Sequence, residues 1–168
     1  MEQTPFNMVF NALWGMAEDS PTLTELVKVG NRIKFNQETN RDPIKENVQA
    51  ADLPELTLLV LGGSEVNLHS SSCGSVITRD YSWVMSTGDL RYTHFLGPVE
   101  WALWCAMANW QTLLSSLTWN EKPFVINANI TNVTSGFTTV ENNRGIKGWS
   151  SIWGCSVGMT FTTADLKA

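Results

Sequence analysis

The sequence predicts an α+β domain in which an antiparallel or mixed β-sheet carries helices packed on one face. Two observations predict this class. Some segments place apolar residues at helical spacing and others alternate apolar with polar residues, in the order helix, helix, strand, strand, helix, strand, strand. A length of 168 residues suits one hydrophobic core, so we expect a single domain over residues 1–168.

Two short helices are predicted at the N-terminal end. Residues 5–17 carry apolar side chains at helical spacing, namely Phe6, Val9, Phe10, Leu13, Trp14 and Ala17. The Asp-Ser-Pro sequence at 19–21 interrupts this pattern. In the second helix, Thr22 and Glu25 have the spacing of a capping box, and Gly30 suits a C-terminal stop.

Four strands are predicted from apolar runs and alternation. Residues 55–61 are continuously apolar before a glycine pair, which is typical of a strand buried on both faces. Residues 76–86 alternate, and Arg79 is the one interruption of their apolar face. Residues 124–133 and 149–161 also alternate. In the last strand two glycines lie opposite the apolar face, which would let another element approach closely.

The longest predicted helix, residues 98–117, is apolar on both sides. One stripe suits the core, and the other side carries Trp101, Trp104, Cys105 and Ala108. A domain of this size has little room for a helix buried all round. We therefore expect a neighbouring subunit to cover these four residues, which are the candidate subunit interface.

Three segments are predicted to be exposed loops. Residues 36–52 are polar and mixed in charge without a steady period, residues 62–75 are rich in serine and glycine, and residues 136–148 contain an Asn-Asn-Arg-Gly turn signal. Loops as long as the first are uncommon in compact domains and are often functional.

Composition favours assembly over binding to nucleic acid or membrane. Only 16% of residues are charged and eight are tryptophan, which is enriched at the centres of protein interfaces. The net charge is −5 and the 11 Lys and Arg are scattered, so we do not expect a direct DNA-binding module, and an acidic wall that lets DNA slide past stays open. No apolar run suits a membrane span, and the N-terminus has no signal-peptide pattern. Three cysteines without CxxC spacing indicate a reducing compartment, so a cytoplasmic origin is expected.

No motif for catalysis, cofactor or metal binding is found, so we predict that the protein is not an enzyme. His69 and Cys73 could supply half a metal site, but a structural zinc ion needs four ligands. Cys73 or Cys105 could act as a nucleophile beside a histidine, although free cysteine more often behaves as a small buried hydrophobe. Asp80 and Asp89 could pair as acid and base, but nothing in the sequence brings them together.

Three stretches carry a family resemblance: ADLPEL at 51–56, YSWVMSTGD at 81–89 followed by the Trp-rich helix, and NRGIKGWSS at 143–151. With the order of elements, they resemble the tail-terminator and tail-completion (neck) proteins of long-tailed bacteriophages. The resemblance implies a virion structural protein that forms a ring, typically hexameric, at the head–tail interface. Such a ring caps the tail tube, contacts other tail and neck proteins and lets DNA pass without specific binding.

Other functions remain open at this point. The second short helix and the long polar segment after it depart from the family layout, which leaves another neck or baseplate role, or a tail-tube subunit. A small cytoplasmic ligand-binding or enzymatic α+β domain would instead place His69, Asp80 or His94 in a pocket. An ordinary homodimer with Trp-rich helices at its seam would bury the same helix face as a ring.

Overall fold

The computed structural model describes residues 3–27, 32–34, 55–62, 67–68, 75–87, 91–94, 96–140, 146–162 and 164–165. The helices are α1 (Pro5–Glu18), α2 (Pro21–Leu26), α3 (Leu96–Ala106) and α4 (Trp110–Ser115). The strands are β1 (Arg32–Lys34), β2 (Glu55–Gly62), β3 (Asn67–Leu68), β4 (Ser75–Thr87), β5 (Thr118–Trp119), β6 (Lys122–Pro123), β7 (Val125–Val140) and β8 (Ile146–Phe161).

The main sheet is mixed. Within the described residues its strand order is β1-β2-β4-β8-β7, and β3 pairs with the start of β4. β1 runs parallel to β2, and the other pairs are antiparallel. β5 and β6 form a separate hairpin. The predicted α+β class, with helices over a mixed sheet, is confirmed.

The core lies between the helices and one face of the sheet. The alternation predicted for the last strand is confirmed over residues 151–161, where every second side chain is buried. Trp83 of β4 and Trp153 of β8 are register partners at the centre of this face. Trp14 of α1 stacks on Trp83, with ring centroids 6.0 Å apart. In β2 the side chains of residues 56–59 are all buried, as predicted for a strand covered on both faces, but the prediction fails at Val60 and Leu61, which are 43% and 62% exposed.

Arg79 is tolerated on this apolar face because its guanidinium group packs over an aromatic ring. Its guanidinium carbon lies 4.6 Å from the centroid of the Phe6 ring in α1. A cation over an aromatic face is stabilised by the ring's electron density, so the one charged residue on the apolar face of β4 is accommodated against α1.

Two of the three glycines of β8, Gly154 and Gly158, make room for side chains of β7. A Cβ at Gly158 would lie 2.5 Å from Oδ1 of Asn127, which accepts a hydrogen bond from the Gly158 N–H at 3.1 Å. A Cβ at Gly154 would lie 2.8 Å from Oγ1 of Thr131. The close approach predicted at these glycines therefore comes from the neighbouring strand.

The prediction of one continuous helix over residues 98–117 is wrong, because this segment forms two helices, α3 and α4. The N–H of Ala108 bonds to the carbonyl of Cys105 at 3.2 Å, and the N–H of Trp110 bonds to that of Met107 at 3.1 Å. These i→i−3 bonds tighten the chain at 107–109 before α4 begins after Asn109. Leu103 and Trp110 stay buried on both sides of the break, so the apolar period gives no sign of it.

The predicted loop at 136–148 is also largely wrong. β7 continues to Val140 and β8 already begins at Ile146, with unbroken register from Asn132↔Gly154 to Val140↔Ile146. The Ser, Gly and Thr residues of this stretch are typical of loops, but threonine is β-branched and suits a strand that has a partner. Within the predicted loop at 62–75, Asn67–Leu68 pairs with β4. The predicted loop at 36–52 lies outside the described residues.

Besides β3, the strand β1 and the β5–β6 hairpin were absent from the prediction. β1 has three residues, which is too short for a pattern. The β5–β6 hairpin turns at Asn120 and Glu121, whose φ angles are 49° and 63°. Positive φ at both central residues is the geometry of a type I′ hairpin turn.

Candidate assembly interface

α3 presents one apolar face to the core and another to the surroundings. Leu96, Val99, Ala102 and Leu103 are buried in the core. The helix contains one charged residue, Glu100. A surface helix of a soluble domain usually carries charged or polar residues on its outer side. The outer side of α3 is instead apolar and aromatic.

All four residues of the candidate interface are exposed. Trp101 is 70% exposed and Trp104 is 45% exposed, while Cys105 and Ala108 also lie at the surface. Their spacing of three, four and seven residues would place them on one helical stripe. Ala108 differs from the prediction because it lies in the turn after α3, yet it still adjoins Cys105 through its backbone hydrogen bond.

Trp104 joins the exposed face of α3 to the sheet. Its ring centroid lies 4.6 Å from that of Trp153, with the planes tilted by 49°. Trp153 is fully buried, and its register partner on β7 is Val133, which is 45% exposed on the same face of the sheet. The exposed Val133 is therefore the cross-strand neighbour of the residue that the Trp104 ring contacts. We call the surface formed by Trp101, Trp104, Cys105, Ala108 and Val133 the α3 patch.

The α3 patch is in the size range of the largest apolar patch on a typical monomeric protein, about 300–600 Å². A Trp side chain offers up to about 250 Å², so the exposed fractions of Trp101 and Trp104 leave roughly 300 Å² of indole surface. Patches of this size are often functional, and larger ones mark interaction sites. Single exposed hydrophobic residues elsewhere, such as Leu61, carry no such meaning.

The residues considered for catalysis are not brought together where the structure describes them. His94 is exposed in a short 3₁₀ turn, and its Nδ1 lies 3.0 Å from Nη2 of Arg91. Asp80 lies in the middle of β4, and Asp89, His69 and Cys73 lie outside the described residues. Among the described residues, no three His, Cys, Asp or Glu side chains are grouped in a way that could hold a metal ion.

The two cysteines that can be placed have different environments. Cys155 is buried, and desolvation raises the pKa of its thiol to about 12, so it behaves as a hydrophobic core residue. Cys105 is exposed within the α3 patch, which differs from the expectation of a small buried hydrophobe. Neither forms a disulfide.

One carboxylate with a displaced pKa has a structural role. Asp165 accepts hydrogen bonds from the hydroxyl and N–H of Thr162, at 2.6 and 2.8 Å, and from Nδ2 of Asn120 at 3.0 Å. Led by the Thr162 hydroxyl, these bonds lower the pKa of Asp165 to about 2. The group therefore links the β5–β6 turn to the end of β8 and is not suited to be a general acid.

A polar groove lies between α4 and the start of β7. It has a volume of about 360 Å³ and is lined by Gln111, Thr112, Ser115 and residues 125–129. A smaller pocket of about 80 Å³ lies beside Trp119 and Asp165. Neither is lined by Asp80 or His94. Sequence reasoning did not find the groove, because it depends on how α4 sits beside the sheet edge.

None of the helices in the described part of the chain is long and apolar enough to cross a membrane. Comparison with models of known protein families and with curated proteins found no match for this chain.

Proposed function

We propose that this chain is a structural subunit that assembles with copies of itself through the α3 patch. The observation that carries the proposal is the outer side of α3, where Trp101 and Trp104 stay exposed on a helix whose opposite side is in the core. Tryptophan residues at interface centres commonly dominate the binding energy. A neighbouring copy that covers them would remove this apolar surface from water.

Within this class, we propose a ring at the head–tail interface of a long-tailed bacteriophage, as a tail terminator in the virion. The support is the resemblance of three stretches, together with an order of elements that pairs N-terminal helices with a mixed sheet. The net charge of −5 and the scattered basic residues suit a ring through which DNA passes without being held. Other tail and neck proteins would then be its partners, and no catalytic activity is expected.

The test is the mass of the particle by light scattering over a concentration series, for the wild type and for Trp104→Glu. We expect the wild type to form one closed species, six copies of the 18.7 kDa chain if the ring is hexameric. A glutamate at the centre of the patch would be buried without a partner. It should weaken association by roughly 100-fold, as is typical of losing an interface tryptophan.

Leu61→Glu is the matched control. Leu61 is 62% exposed at the end of β2, which β4 separates from β8 and the α3 patch. This variant should assemble like the wild type. A wild type that stays monomeric at every concentration, or a Trp104→Glu protein that assembles unchanged, would contradict the proposal. A species of two copies would identify the homodimer instead of the ring.

A further inference from the structure

The sheet has a long free edge beside the α3 patch. β7 is the last strand in the order and, among the described residues, pairs only with β8. About half of the residues in such an antiparallel edge strand direct their N–H and C=O groups away from the partner strand. An unpaired row of these groups is a template for another strand.

The two halves of β7 differ in how this edge is protected. In the first half, register shifts interrupt the ladder at Val125/Asn127 and at Ile130/Asn132. There Nε2 of Gln111 in α4 also donates to the carbonyl of Ala128 at 2.6 Å. From residue 132 to residue 140 the register with β8 is unbroken. The second half is therefore a regular strand edge of nine residues, roughly 30 Å long.

The composition of β7 does not oppose pairing. Its 16 residues include no Lys, Arg, Asp, Glu or Pro, although charges and prolines are the usual means of blocking an edge strand. Since the whole chain carries a net charge of −5, an uncharged edge is a place where two copies can meet without like-charge repulsion.

The α3 patch is too small to form a stable interface by itself, so a second contact surface is needed. Its two indoles supply roughly 300 Å², whereas a stable interface buries about 800 Å² on each partner. Val133 lies in the regular half of β7, and its register partner Trp153 contacts the Trp104 ring, so one strand separates α3 from the edge. A copy seated on the patch is therefore placed to reach the edge as well.

We infer that the regular half of β7, residues 132–140, pairs with an extended segment of a second copy of this chain, so that the sheet continues across the subunit boundary. The inference rests on the proposed function, since the same neighbouring copy covers the α3 patch. Backbone hydrogen bonds would give this contact its register, and the tryptophans of the patch would supply most of its apolar area.

The variant that tests the edge is the double substitution Asn132→Lys and Thr134→Lys. Both side chains are exposed and hydrogen-bond to each other at 3.1 Å, on the sheet face opposite the α3 patch. Lysines there would oppose a paired strand without touching Trp104, and we expect association to weaken roughly tenfold. Asn7→Lys with Asn11→Lys adds the same charge on the exposed side of α1 and should leave association unchanged.

Amide hydrogen exchange rates test the strand pairing independently of the charge that the lysine variants add. The outward amides of residues 132–140 should exchange more slowly in the assembled wild type than in monomeric Trp104→Glu, because a second strand accepts their hydrogen bonds. The edge pairing would be overturned, and the proposed function left intact, by three results together. The exchange rates would be unchanged, both double variants would assemble like the wild type, and Trp104→Glu would dissociate. Loss of assembly in the β7 variant but not in Trp104→Glu would instead support the edge and contradict the α3 patch. A wild type that never assembles would overturn both.

Discussion

Six of the eight tryptophan side chains are either buried in the core or exposed on α3. Trp14, Trp83, Trp110 and Trp153 are buried, and three of them are among the largest fully buried side chains of the core. Trp101 and Trp104 are exposed on α3. At the residue scale, the same side chain that stabilises the fold at 83 and 153 is available for a partner at 101 and 104.

The two central tryptophans differ in how their indole N–H groups are satisfied. Nε1 of Trp153 donates to Oγ of Ser151 at 3.0 Å. Nε1 of Trp83 is buried and has no hydrogen-bond partner among the described residues. Replacement of either ring by phenylalanine removes a similar apolar area, but it breaks a hydrogen bond only at 153 and removes an unpaired donor only at 83.

We therefore expect Trp153→Phe to lower the free energy of unfolding by about 1–2 kcal/mol more than Trp83→Phe does. The two variants are controls for each other, since the chemical change is identical and both sites are fully buried. Urea denaturation followed by circular dichroism measures the difference. Equal losses, or a larger loss at Trp83, would contradict this assignment of the two indole groups.

Alkaline pH should destabilise the subunit through two buried acids. Burial raises the pKa of Cys155 from 9.0 to about 12 and that of Tyr81 from 10.0 to about 12. Both groups stay neutral in the folded state while the unfolded chain ionises, so stability is complete below pH 9 and falls as the pH rises toward 12. Between pH 8 and pH 11 the loss should be roughly 3–4 kcal/mol.

Chemical denaturation at a series of pH values measures this loss. Cys155→Ala is the comparison, because it should retain only the part of the slope that begins near pH 10 and comes from Tyr81. A free energy of unfolding that is flat from pH 8 to pH 11 in the wild type would contradict the burial of both groups.

At the scale of elements, periodicity predicted β4, the second half of β8 and the first helix well, but in β7 the register shift between Val125 and Asn127 leaves Ile126 52% exposed. β4 and the second half of β8 follow their alternation, because one face of each strand packs against helices. The start of α2 was less well predicted. Its N-cap is Ser20, whose Oγ accepts from the N–H of Leu23 at 3.3 Å, and Pro21 opens the helix. The Ser-Pro pair carried that signal more directly than the capping box predicted at Thr22.

Elements that depend on long-range pairing were not predictable from local sequence. The continuation of β7 to Val140 depends on β8 as its partner, and β1 exists only because β2 lies beside it. The break between α3 and α4 preserves the apolar period on both sides. In each case the tertiary context decides a segment whose local pattern is ambiguous.

The β5–β6 hairpin offers a local test of turn geometry. Glu121 has a φ of 63°, which glycine adopts without strain and glutamate does not. We expect Glu121→Gly to raise the free energy of unfolding by about 0.5–1 kcal/mol, because Asn-Gly is the preferred type I′ pair. Glu121→Ala keeps the strained angle and should give little gain. Thermal denaturation of the two variants measures the difference, and equal melting temperatures would contradict the turn assignment.

At the scale of the whole molecule, the low charge and the exposed tryptophan residues both favour association with another subunit. Only 16% of residues are charged, and the outer side of α3 and the edge strand β7 contain none of them except Glu100 at the side of the helix. Such surfaces lose little hydration when another subunit covers them. The α3 patch could be predicted from helical spacing alone, whereas the contribution of Val133 required the register of β7 on β8.

The measurement that tests the central claim most directly uses Cys105, which lies within the α3 patch. In a Cys73→Ser background, its rate of alkylation is followed by mass spectrometry across the concentrations over which light scattering detects association. Cys155 is buried with a raised pKa and serves as the unreactive reference. If copies assemble through the α3 patch, the Cys105 rate falls as the particle mass rises, and it stays high in Trp104→Glu at every concentration. A mass that rises while the Cys105 rate stays constant would place the interface elsewhere and contradict the account.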